Sequence, residues 1–447
     1  MPPILPVSRL FDQPTLAKII EVDALVQRYR AYFALVEWDA YDRPASPRRP
    51  GRPAHPMSAY LKAFLVKVTE QKRSMPQLRA FLLEHPLLTL DLGFRPVLDV
   101  THPYGFDVER TLPGVRWLNE QLRLCDPRML ADVFAQTLQA LQREIPDVGE
   151  VVAFDVTHIY AHVRENNSRA YVPERYNKDR QPTGDPDCRL GVKKSTNQEQ
   201  ADGSTKEIKE YLWGYGSGVA SATLPEYGDV ILAEYTQPFN ENDITYFVPL
   251  YLQTLAILNR FPTHITADAA FDAWYVYQTC VFRVGMAAIP LNQHGHPEHQ
   301  RTATGIPLCP MGLPMHPTSQ FEHTYGYRAQ RFRCPLLFPS ATGQTCEHEQ
   351  FAKGKGCVKD VNWEAGAQMR VTLDRSSLLY QLVYRQRTSC ERINSQSKDL
   401  VLKHPLVRNF RSVRNLNTLT YIRINLKALQ RARSINAACS PPFPLLI

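Results

Sequence analysis

The chain predicts an α/β fold: a sheet covered by helices, preceded by an all-helical region and interrupted by an insertion. Three observations predict it. Residues 57–146 place apolar side chains at helical spacing. From Glu150 onward, short β-branched apolar runs take over and then alternate with helical segments, the pattern of a sheet with helices on its faces. Residues 295–375 lose both periods and become rich in His, Cys, Pro and Gly.

Taken in order, residues 8–40 read as one or two amphipathic helices ending in Trp38 and Tyr41. RPASPRRPGRPAHP (43–56) is a linker, because proline at that density cannot continue a helix. Its Arg49-Pro-Gly-Arg52-Pro53 bears a faint likeness to a minor-groove arm. MSAYLKAFLVKVTEQK and MPQLRAFLLEHP are two apolar-striped helices separated by Arg73 and Ser74, as in a helix-turn-helix. GVRWLNEQLRL and PRMLADVFAQTLQALQREI add two more.

VVAFDVTHIYAHV reads as a buried strand ending near Asp155, and the polar stretch 164–207 as a loop excursion. WGYGSGVASATL and VILAEYTQP are two further strands, and ITYFVPLYLQTLAILN is a helix. THITADAAFDA gives a strand ending at Asp268, WYVYQTCVFRV a helix and MAAIPLN a strand. After the insertion, SLLYQLVYRQRTSCERINSQSKDLV restores one long helix and FRSVRNLNTLTYIRINLKALQRARS supplies the last. The expected divisions are 1–50 (helical segment and linker), 51–148 (helical, candidate DNA-binding domain), 149–294 (first part of the catalytic core), 295–376 (Cys/His insertion), 377–433 (basic helices completing the core) and 434–447 (tail).

With 447 residues, 44% hydrophobic and 21% charged, this is a chain of two or three ordinary globular domains. Its start, MPPILPVSRLFDQP, lacks a basic region followed by an apolar core, and no apolar run approaches the roughly 20 residues of a membrane helix, so a cytoplasmic protein without membrane contact is expected. Nine cysteines then stand as reduced thiols. The net charge is +8, but between Gln381 and Arg433 twelve Lys or Arg face only Glu391 and Asp399, so this segment nets +10 and the remainder −2. Such an imbalance points to a polyanion partner rather than to a solvated helix face.

Two carboxylates, Asp155 and Asp268, fall at or near strand ends, where the side chains of α/β sheets face a crevice. An acidic side chain in an apolar strand needs neutralising, and a hard cation such as Mg²⁺, which takes carboxylate oxygens, waters and phosphates, can do this. In the helix expected from Leu379 to Lys398, Tyr384, Arg387, Glu391 and Lys398 have offsets of 0, 3, 7 and 14, a stripe of roughly 60° at 3.6 residues per turn. A carboxylate flanked by two cations suits phosphodiester chemistry; a surface helix with routine i, i+4 ion pairs is the plain alternative.

Tyr384-x₂-Arg387-x₃-Glu391-x₆-Lys398 resembles the Y-R-E-K signature of bacterial insertion-sequence DDE transposases, and YRQRTSCERINSQSK resembles its context. TADAAFDAWYVY resembles the family's second-Asp block and VVAFDVTHI its first, with Val156 where Gly or Ser is commoner. Residues 51–94 resemble its N-terminal helical region, so the likeness spans most of 50–425. The resemblance implies a ribonuclease-H-like catalytic core interrupted by an insertion, for which the 123 residues from Asp268 to Glu391 leave room. It also implies a cytoplasmic, nucleoid-associated bacterial enzyme acting on double-stranded DNA, both transposon ends and target, as a homodimer in its synaptic complex. Asp155, Asp268 and Glu391 would be catalytic residues and ligands of two Mg²⁺, with Mn²⁺ able to substitute. Tyr384, Arg387 and Lys398 would contact DNA phosphates. Asp272 is the rival to Asp268. The alternatives are a domesticated, inactive transposase that only binds DNA, and a ribonuclease-H-like nuclease without strand transfer.

Cys309, Cys334, Cys346 and Cys357, near His316, His323 and His348, raise the question of structural zinc. Their spacings of 25, 12 and 11 residues lack a CxxC knuckle, so scattered buried thiols are expected instead. Trp363 is expected to pack in a core rather than stack on a flipped base.

Overall fold

The structure, a computed structural model, describes residues 13–42, 54–199, 205–292 and 300–439. Most of the linker, with Arg49 and Arg52, lies outside the described residues. The N-terminal region is helical: α1 (Gln13–Val22), α2 (Ala24–Phe33), α3 (Met57–Thr69), α4 (Met75–Glu84), α5 (Pro86–Asp91), α6 (Val115–Leu124) and α7 (Pro127–Glu144). Helix α3 is apolar on every side and forms the centre of this region, with Ala59, Leu61, Phe64 and Val66 fully enclosed. Burial depresses Lys67 to about 8, and its ammonium is satisfied by the Arg73 carbonyl at 3.3 Å. Helix α4 starts at a reciprocal cap between Ser74 and Gln77.

The sheet is mixed. Its strands are β1 (Val151–Tyr160), β2 (Arg189–Glu199), β3 (Thr205–Leu224), β4 (Gly228–Pro238), β5 (His264–Ala267) and β6 (Ala287–Ala288). Strand β3 runs antiparallel to β1 on one side and to β4 on the other, while β5 and β6 add to β1 in parallel. The resulting order is β4-β3-β1-β5-β6, with β2 pairing along the first half of β3. Helix α8 (Phe247–Leu258) links β4 to β5.

Five elements differ from the sequence expectation. The stretch 164–207 is not all loop, because β2 lies within it; its RLGVKKSTNQE has no apolar alternation, and its ladder with β3 supplies the pairing instead. WYVYQTCVFRV is helical only over α9 (Trp274–Gln278), and MAAIPLN is a strand only at Ala287–Ala288. The insertion has a sheet of its own, β7 (His316–His323), β8 (Tyr327–Arg333) and β9 (Val358–Asn362), all antiparallel. After α10 (Ala365–Thr372), the expected long helix is two, α11 (Leu378–Arg385) and α12 (Thr388–Asp399). The break is mild: Gln386 and Arg387 keep right-handed helical angles, and the turn tightens through Arg387 N–H to the Tyr384 carbonyl at 3.0 Å.

The last helix, α13 (Phe410–Cys439), is 30 residues long and packs on α7 and β4. Its polar side chains complete other elements. Asn425 donates to the Ile231 carbonyl (2.8 Å) and accepts from the Ile231 amide (2.9 Å) at the outer edge of β4. Asn415 donates to the Leu122 and Cys125 carbonyls at the end of α6. The basic segment is thus divided between packing, ion pairing and exposed cations. Val413, Tyr421, Ile422 and Leu429 are buried, Arg392 is spent on Asp229 and Arg433 on Glu144, while Arg411, Lys427 and Arg431 stay exposed. Among the described residues, no helix is long and apolar enough to cross a membrane.

Candidate active site

The parallel pairing of β1 with β5 runs from Val151 opposite His264 to Phe154 opposite Ala267. Asp155 and Asp268 are the next residues on these neighbouring strands. β1 itself continues to Tyr160, so Asp155 is mid-strand, and it is the parallel ladder that ends there. Adjacent strands lie roughly 4.8 Å apart, so the ladder's end sets the two carboxylates side by side. At Asp268 the chain turns into a short 3₁₀ segment, and its carboxylate accepts from the Ala270 amide at 2.9 Å.

A third acid joins them. Asp243 opens a 3₁₀ turn (Asp243–Tyr246) that packs against the segment following Asp268. Burial, then the charge of Asp268, push Asp155 up to about 7, with Arg387 pulling the other way. The same two causes, in the same order, push Asp243 up to about 6. Carboxylates raised against one another in a half-buried crevice are those a hard cation stabilises most, so the donor chemistry fits Mg²⁺.

Helix α12 lies across β1 and β3. Asn394 on this helix donates to Asp155 Oδ2 at 2.9 Å. One turn earlier, Glu391 is half exposed and holds Arg387 at 2.7 Å. Arg387 in turn lies 5.8 Å from the Tyr384 ring, and Tyr384 stacks on Tyr380 with centroids 5.8 Å apart. Lys398 is exposed in the last turn of α12. Arg387, at the tightened turn, therefore touches both Tyr384 and Glu391. Asp155 and Asp268 stand together, whereas Glu391 is turned toward Arg387. Among the described residues, three ligand-type side chains converge within 4.8 Å only at Asp99, His102 and Asp107 in the helical region; Asp155, Asp268 and Glu391 do not reach that closeness. The carboxylates of that helical-region group are engaged locally, Asp99 by Thr101 and Asp107 by the Arg110 amide.

Asp272 is taken up by structure. Its side chain is fully enclosed, receives both Arg370 nitrogens at 2.7 and 2.6 Å, and accepts from Tyr277 Oη and the Asn292 amide, each at 2.8 Å. That leaves no free edge for a metal. Asp243 and Asn394 are the residues that sequence reasoning missed. Asp243 sits just before an apolar helix, where an acidic residue passes for a cap. Asn394 had a readable signal, three residues after Glu391 and hence on a neighbouring part of the helix surface. Trp363 packs on Phe332 in the insertion, with centroids 5.2 Å apart.

No family model and no curated protein matches the chain. Among solved structures, it is similar to the piggyBac transposase synaptic complex with hairpin DNA at a TM-score of 0.28 and 9% identity, over 97% of this chain and 83% of that one. A likeness of this degree carries no residue role from that complex to this chain.

Proposed function

We propose that the chain is a DDE transposase that cuts DNA at the inverted-repeat ends of a mobile element and joins those ends to a target. The observation that carries this reading is the placement of Asp155 and Asp268 at the close of one parallel ladder, with α12 bringing Arg387, Glu391 and Asn394 to the same side. The strand order, an antiparallel β1-β3-β4 group extended by parallel β5 and β6, supports a ribonuclease-H-like core.

In this reading Asp155, Asp268 and Glu391 would hold divalent metal, Mg²⁺ or Mn²⁺, which would activate a water or a DNA 3′-hydroxyl and stabilise the leaving oxygen. Asn394 ties one oxygen of the Asp155 carboxylate, Oδ2, to the helix. Arg387 leaves Glu391 for a DNA phosphate, and Glu391 then rotates toward the aspartates. Tyr384 and Lys398 contact backbone phosphates on either side. Exposed Arg411, Lys427 and Arg431 extend the basic surface. Two copies pair two DNA ends.

The pairing of Glu391 with Arg387 also suits a protein that binds ends without cutting. The DNA flanking the reading frame separates the readings. Incubated with protein and Mg²⁺, a duplex of that DNA should yield nicked ends and, with a target plasmid, joined products. Binding without nicking would leave the end-binding reading, and nicking without joining a simple nuclease.

A further inference from the structure

We propose that Cys309, Cys334, Cys346 and Cys357 form a structural zinc site that ties the insertion together. The insertion has its own core, separate from that of the main sheet. It consists of seven buried residues, Cys309, Met315, Phe332, Cys334, Leu336, Cys357 and Val361, with Cys346 among the partly buried residues packed on it. Three thiols distant in sequence thus share one apolar cluster and the fourth packs against it, and the cluster is too small to hold so irregular a segment by burial alone.

The local backbone is shaped around the sulfurs. Cys309 and Cys334 each precede a proline and each begin a tight turn, closed onto their carbonyls by Gly312 N–H at 2.8 Å and Leu337 N–H at 3.1 Å. The Sγ of Cys346 accepts from the His348 amide at 3.4 Å, a backbone donor that strengthens when the sulfur is a thiolate. Gly356 has φ +64°, and a Cβ there would stand 2.5 Å from Cys334 Cβ, so a glycine lets Cys357 come onto Cys334. The Cys334 thiol lies within hydrogen-bonding reach of Cys357, and Cys309 is a near neighbour of the same sulfur. Lys359 Nζ is anchored on the Leu308 carbonyl at 2.9 Å, well placed to offset a tetrathiolate centre.

Soft sulfur donors in a closed, four-ligand set select zinc. The neighbouring histidines are engaged otherwise: His323 stacks on Tyr327 at 4.5 Å, and His348 Nδ1 accepts from the Gln350 amide. All described cysteines are free thiols. No three sulfurs among them lie within 4.8 Å of one another, so zinc binding would have to draw the four side chains together.

The test measures zinc content of full-length protein purified without chelator, independently of any action on DNA. Wild type and Asp99→Ala should each carry one zinc per chain, and Co²⁺ exchange should give the visible bands of a tetrahedral cobalt–thiolate centre. Cys334→Ser with Cys357→Ser should lose the metal, while Cys188→Ser, a buried thiol elsewhere, should keep it. Should the paired variant fail to fold, thiol titration of native wild type replaces it, with four more thiols reacting after chelation. Wild type without zinc or cobalt bands, zinc retained in the folded paired variant, or an unchanged thiol count would overturn the site.

Discussion

Asn394 donates its side-chain amide to Asp155 across 2.9 Å, pinning the helix that carries Glu391 to the strand that carries the first aspartate. Because Asn394 and Glu391 share α12, this bond fixes how far Glu391 stands from the paired carboxylates. Asn394→Ala should leave DNA binding intact and slow cleavage by about 10²-fold, since misplacing a catalytic group by an ångström costs on that order. Cleavage rates at saturating DNA would check this, and an unchanged rate would make Asn394 a packing residue only.

Asp155 is pushed up to about 7 and Asp243 up to about 6, by burial first and Asp268 second. Both values are raised above those of the unfolded chain. The protonated forms therefore favour the fold at acid pH, and that contribution is lost as pH rises through about 6 to 7. Metal binding requires the ionised forms and so runs the opposite way. Mg²⁺ should raise the melting temperature more at pH 8 than at pH 5.5, read by thermal denaturation across that range. Equal stabilisation at both pH values would count against Asp155 as a ligand.

Asp268 and Asp272 lie four residues apart and should behave as different kinds of residue. Asp272→Ala strands the buried Arg370 charge and should cost about 3–5 kcal/mol of stability. Asp268→Ala removes a charge that crowds Asp155 and should leave the melting temperature unchanged or raised near neutral pH. Denaturant unfolding of both variants distinguishes them. A severe loss of stability in Asp268→Ala would reverse the assignment.

Lys398→Ala should weaken DNA binding and lower the slope of log affinity against log salt by about 1, because one phosphate contact releases one counterion. The comparison needs binding isotherms at several salt concentrations. Parallel slopes for wild type and variant would remove Lys398 from the DNA surface.

How much of this was legible in the sequence depended on whether the signal was local. The apolar run before Asp155 and the short run before Asp268 read as strands and are strands, because a buried strand advertises itself in β-branched and apolar residues. Strand β2 could not be read that way, since its pairing lies in backbone bonds to β3 rather than in its side chains. The Tyr384-Arg387-Glu391 stripe was visible, but not the tightened turn between α11 and α12, which no proline or glycine marks. Asp243 comes to the crevice only through the packing of two 3₁₀ turns.

The most direct measurement is Mg²⁺-dependent strand cleavage of the flanking DNA by wild type, Asp155→Ala, Asp268→Ala and Glu391→Ala at matched DNA occupancy. Wild type should cut only with Mg²⁺ or Mn²⁺, and each variant should bind DNA but fall to background. Undiminished cleavage by any of the three, or cutting by wild type in the presence of a chelator, would contradict it.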